Sequence, residues 1–161
     1  MAVDDLGTVV ELPGAGRRIV SLVPSLTEAL ASVDPGAIVG ATDWCTHPAT
    51  LDTTRVRGTK NPDCMLIAGL KPDIVIANKE ENRRIDVDRL RALGLQVWVT
   101  DIESVPGAID SMRRMFSDCL QWPLPPWLDN ARDIWSHMPA LPPLRTAIPI
   151  WRDPWARAHR W

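Results

Sequence analysis

Four short runs rich in β-branched and other apolar residues recur over the first hundred positions, and helix or turn signals follow each of them. The runs are Arg18 to Val23 (RIVSLV), Ile38 to Ala41 (IVGA), Asp73 to Ala77 (DIVIA) and Leu95 to Thr100 (LQVWVT). Continuous apolar runs of this length fit strands buried on both faces. Ser25-Leu26-Thr27-Glu28 matches a capping box and predicts a helix to about Val33, closed by Asp34-Pro35-Gly36. Asp63 can cap a short helix to about Leu70, ahead of Lys71-Pro72. Arg83 to Leu93, with apolar Ile85, Val87, Leu90 and Leu93, reads as an amphipathic helix stopped by Gly94. Ser104 can cap a further helix, with Pro106 near its first turn, running to about Leu120. Thr46 to Asn61 is polar and without period, which reads as a long loop.

Strand and helix alternating four times predict an α/β fold: a parallel four-stranded, Rossmann-like sheet with right-handed crossovers and helices on both faces. The composition then changes. Eight of 15 prolines and six of 8 tryptophans lie between Gln121 and Trp161. The expected division is an N-terminal segment, 1–17, an α/β ligand-binding lobe, 18–120, a linker with a helix from Trp127 to Met138, 121–143, and the start of a new unit, 144–161. Leu144 to Trp151 reads as a strand with no partner in its own sequence, so the expectation is an incomplete second lobe.

The chain of 161 residues has a net charge of −2, from 18 basic and 20 acidic side chains. That balance argues against a nucleic-acid partner, which needs a basic patch. No run of 18 apolar residues is present, so no membrane insertion is expected. Asp4, Asp5 and Glu11 interrupt any apolar leader, so the sequence as given reads as cytoplasmic. Cys45, Cys64 and Cys119 form no CxxC pair and read as buried or unpaired thiols. A dinucleotide fingerprint, a P-loop and a nucleophile elbow are all absent, and the first strand-to-helix turn, VPSLTE, has no glycine to admit a pyrophosphate. The chain is not expected to be an enzyme.

In open parallel sheets, ligands bind beyond the carboxyl ends of the strands. Those ends carry Pro24-Ser25, Thr42-Asp43-Trp44-Cys45, Asn78-Lys79-Glu80 and Asp101. The helix opened at Pro24-Ser25 would aim its N–H groups at an anionic group. Trp44, where a strand gives way to loop, can stack on a flat ligand; Trp98, in mid-strand, reads as core. Asp43, Cys45 and His47 alternate and could face one side as metal ligands, although His47-Pro48 as an ordinary turn is the favoured reading. The charged run from Asn78 to Arg84 reads as a solvated loop or as polar anchors for a ligand.

The ordered set RIVSLVPSLTEAL, IVGATDWCTHP, VRGTKNPD, LKPDIVIAN and LRALGLQVWVTD, from about Arg18 to Phe116, resembles the class III periplasmic-type substrate-binding proteins of ABC importers. These helical-backbone metal receptors include the binders of cobalamin, haem and iron-siderophores. The resemblance implies the N-terminal lobe of a two-lobed protein, periplasmic or on the cell surface, that holds a metal chelate between its lobes and has no intrinsic cofactor. Trp127 to Met138 then corresponds to part of the connecting helix, and Ile150 to Trp155 (IWRDPW) to the first strand of a truncated second lobe. The resemblance implies ligand contacts from Pro24, Ser25 and Trp44; Thr59 or Lys60, with Asn78 and Lys79, would fix the polar edge of the ligand. A second stacking tryptophan of some cobalamin binders corresponds to Thr59 here, and the glutamate that docks on the transporter permease corresponds to Met65. Two other readings stand beside this one: an intracellular α/β enzyme or metal-handling protein, and a non-functional fragment.

Overall fold

In the computed structural model, described for residues 1–11, 14, 18–139 and 145, the four apolar runs form neighbouring strands of one sheet. They are β3 (Ile19–Ser21), β4 (Ile38–Ala41), β8 (Ile74–Asn78) and β9 (Val97–Thr100). A fifth strand, β5 (Thr54–Arg55), adds to the edge beside β4, and the order is β5-β4-β3-β8-β9 with every pairing parallel. The expected sheet of four strands is thus one strand short. Two residues, both exposed, give β5 no apolar run to betray it. The segment expected to be a loop also holds a small antiparallel pair, β6 (Arg57–Gly58) and β7 (Asn61–Pro62).

Side chains alternate across β8 and so define two layers. Ile74 and Ile76 join Ile19, Ile38 and Trp98 in a core covered by α1 (Pro24–Ala31), α4 (Val105–Arg114) and α5 (Pro126–Ser136). Val75 and Ala77 join Val20, Val97 and Val99 under α2 (Cys64–Gly69) and α3 (Arg84–Ala92). Both faces are covered, as a parallel sheet requires. At Gly40 in β4 an added Cβ would lie 2.8 Å from a Leu70 methyl and 3.1 Å from Val20, so only glycine lets α2 approach so closely.

The capping box does not form. Helix α1 begins two residues earlier, with Pro24 in its first turn and Val23 as an extended N-cap that makes no side-chain bond. Proline fits there because it has no N–H to leave unpaired. Ser25 lies inside the helix and is exposed. The caps at Asp63 and Ser104 form as the sequence reads, accepting from the Leu66 and Gly107 N–H groups. Helix α4 widens into a π-helical turn, Met115–Cys119, closed by a Leu120 N–H to Met115 carbonyl bond of 3.0 Å. No described helix is long and apolar enough to cross a membrane.

Residues 1–11 also pack onto the lobe. β1 (Ala2–Val3) and β2 (Val9–Val10) form a hairpin whose Val10 is buried in the α1 layer of the core. The buried Asp4 carboxylate accepts from the N–H groups of Leu6, Thr8 and Val99 and pairs with Arg91 at 3.1 Å. Asp5 accepts from the Asp101 N–H and pairs with Arg114. These contacts cover the exposed side of β9, where an unpaired edge would otherwise offer its backbone to another chain. At the far end, Leu128 of α5 is fully buried, Trp122 stacks on Phe116 and Arg113 pairs with Asp129. The strand expected at Leu144 to Trp151 and the IWRDPW segment lie outside the described residues.

Candidate functional site at the carboxyl edge of the sheet

The loops at this edge are held by buried polar side chains. After β3, the Thr27 hydroxyl lies 2.7 Å from Ser21 Oγ, 2.9 Å from the Val23 carbonyl and 3.0 Å from Cys45 Sγ. Thr42 Oγ1 lies 3.1 Å from the same sulfur. This chain of hydroxyls and a thiol ties the ends of β3 and β4 to α1. Arg55 closes the β4 loop from outside by donating to the Thr42 and Cys45 carbonyls at 3.1 and 2.8 Å.

Trp44 stands at the tip of that loop, 67% exposed. Its support is the β6–β7 hairpin. The Asp43 N–H donates to the Arg57 carbonyl at 2.9 Å, and at Gly58 an added Cβ would lie 3.3 Å from Trp44 Nε1 and 2.5 Å from Asn61 Oδ1. Thr59 and Lys60 form the turn of this hairpin, Thr59 half-buried and Lys60 exposed. An indole held out of the core beside a tight turn presents apolar area to the solvent, and a flat partner could cover it.

Asn82, 5% exposed, joins three loops. Its Nδ2 donates to the Thr59 carbonyl at 2.9 Å and to the Leu22 carbonyl at 3.4 Å, and its Oδ1 accepts from the Asn78 N–H at 2.9 Å. The ends of β3 and β8 and the Thr59 turn are therefore tied together by one side chain. Asn78 is buried and its amide is fully engaged, by Thr100 on one side and by the Glu80 and Glu81 N–H groups on the other. It shapes the edge rather than offering atoms to a ligand. Lys60 Nζ donates to the Glu80 carbonyl. Lys79 pairs with Asp101 at 2.8 Å and sits 3.8 Å from Glu103. The hydrogen bond to Asp101, then that carboxylate's charge, raises the Lys79 pKa, so the group stays cationic.

Of the residues expected to meet a ligand, the structure joins Trp44, Thr59, Lys60 and Asn78 through shared hydrogen bonds and packing. Pro24 and Ser25 open α1 at the same edge. Lys79, with Asn78 and Asn82, also lines a depression between the N-terminal hairpin and α3, bordered by Leu6, Thr8 and Arg84. Gly58, Asn82 and Arg55 escaped the sequence reading; the two polar ones resemble ordinary loop residues until their backbone partners are known. The Asp43, Cys45 and His47 set does not converge. Cys45 is buried against two hydroxyls while Asp43 and His47 are exposed, and no group of three metal-ligating side chains occurs among the described residues.

No protein-family model matches the chain. The vitamin B12-binding protein of Vibrio vulnificus strain CMCP6 is 27% identical over 129 residues, covering 78% of this chain and 46% of that protein. Among solved structures, the haem-binding protein HmuT superposes with a TM-score of 0.65 at 25% identity, over 82% of this chain and 44% of that one. The periplasmic vitamin B12-binding protein BtuF of Vibrio cholerae superposes with a TM-score of 0.61 at 23% identity, over 77% and 49%. In sequence the chain is similar to a vitamin B12-binding protein, and its fold is that of one lobe of periplasmic substrate-binding proteins. The particular proteins it resembles bind vitamin B12 or haem, and the chain spans about half the length of each.

Proposed function

We propose that this chain supplies one wall of a metal-chelate binding cleft, in a substrate-binding protein that delivers cobalamin, haem or a ferric siderophore to an ABC importer. The observation that carries the reading is the exposed Trp44, braced on Gly58 at the carboxyl edge of a parallel sheet. The flat face of the chelate would cover the indole. The first-turn N–H groups of α1 behind Pro24 and at Ser25 have no intrahelical partner and would receive a carboxylate or amide oxygen from its rim. Thr59 and Lys60 would meet the polar edge, and Asn78 and Asn82 would hold the geometry. No catalytic step is involved.

The likeness to proteins named for vitamin B12 and haem supports a large, flat ligand. A permease partner belongs to the same proposal. Met65, 71% exposed at the start of α2, would place a thioether in that contact where the family presents a carboxylate. Titrating hydroxocobalamin, haemin and ferric siderophores into the protein, followed by visible absorbance, tests the reading. One saturating ligand is expected; a folded protein that saturates with none of them would refute it.

A further inference from the structure

A second concavity lies away from Trp44, along the outer face of α1. Ser25, Glu28, Ala29 and Ser32 are spaced by three and four residues and so share one helical face. Met112 of α4 and Trp127 of α5 complete a pocket of about 420 Å³, within the range of small-molecule sites. The indole is fixed in place, because Trp127 Nε1 donates to Ser32 Oγ at 2.9 Å while Ser32 Oγ donates to the Ala29 carbonyl at 2.7 Å.

The electrostatics of the lining are one-sided. Glu28 carries its only formal charge, and that carboxylate makes no hydrogen bond or ion pair with any described residue. On α5, Asp129 is already paired, with Arg113 of α4 and with Arg132 of its own helix. An unpaired carboxylate beside an indole, a thioether and a methyl group attracts a cation that is itself partly apolar. A metal ion would find a single carboxylate and otherwise only neutral serine hydroxyls, and an anion would be repelled. An ammonium with an organic body satisfies both halves of the pocket, through the carboxylate and through the negative face of the indole.

We propose that this pocket binds an organic ammonium ion, at a place distinct from Trp44 although Ser25 borders both. The probe is benzyltrimethylammonium, titrated into the full chain by calorimetry, with phenylmethanesulfonate as an anion of similar size. Saturable binding of the ammonium alone is expected. Removing the charge in Glu28→Gln or the ring in Trp127→Leu should each weaken it roughly fivefold to tenfold, and Trp44→Ala should leave it unchanged. Glu28 is exposed, so Glu28→Gln should fold normally, and a thermal melt confirms that even if Trp127→Leu does not fold. Absence of saturation at millimolar probe, equal binding of the anion, or unchanged affinity in Glu28→Gln would overturn the proposal.

Discussion

Asn82 shows how much one side chain can hold. Truncating it to alanine leaves the Leu22 and Thr59 carbonyls and the Asn78 N–H without their partner. At about 1 kcal/mol per lost bond, Asn82→Ala should lower stability by about 3 kcal/mol in urea denaturation. A loss below about 1 kcal/mol would mean that the three loops are held by something else. Cys119 makes a pH-dependent prediction. Burial pushes its thiol from 9.0 up to about 12, with the Asp118 charge adding to the effect. The folded state therefore holds this proton more tightly than the unfolded chain, and the contribution is complete below pH 9. It should fade as pH climbs from about 9 towards 12, by about 1.4 kcal/mol per unit. Comparison with Cys119→Ala isolates it, because the variant should lack that part of the slope. Trp44 could be singled out from the sequence as a candidate because it stands where a strand gives way to loop, and the structure leaves its indole exposed there. Asn82 could not be, because within a run of seven polar residues only burial distinguishes it from its solvated neighbours.

Among the elements, β3, β4, β8 and β9 were visible because a strand covered on both faces must be apolar throughout. The pairs of residues in β5, β6 and β7 carry no such pattern, and backbone bonding alone defines them. The N-terminal hairpin was hidden for a different reason. Asp4 and Asp5 look like surface charges, yet each is buried or nearly so and balanced by N–H donors and an arginine. The capping-box reading failed at α1 because Pro24 starts the helix two residues early. Two substitutions test the packing of elements. Gly40→Ala should destabilise by about 1–3 kcal/mol, since Leu70 and Val20 must give way in a dense core. Leu128→Ala should cost about 3 kcal/mol in the same measurement. A negligible cost would show α5 to be an appendage, whereas the buried Leu128 makes it part of the lobe.

Taken whole, the molecule is one sheet with a polar, well-braced carboxyl edge, and the proposed chelate function rests on what that edge presents. An indole, helix N–H groups and the Thr59-Lys60 turn come from three separate loops, and Asn82 together with the Thr27 and Cys45 cluster locks those loops to the sheet. Preorganisation of this kind lets a shallow surface bind, because little ordering is required when the ligand arrives. Trp44→Ala removes the flat apolar surface without touching the braces. The most direct measurement is the affinity of wild type and Trp44→Ala for whichever chelate saturates the protein. The account predicts a loss of at least about tenfold, as expected of an aromatic contact residue, with an unchanged thermal melt. Equal affinity in the two proteins would place the ligand elsewhere and contradict it.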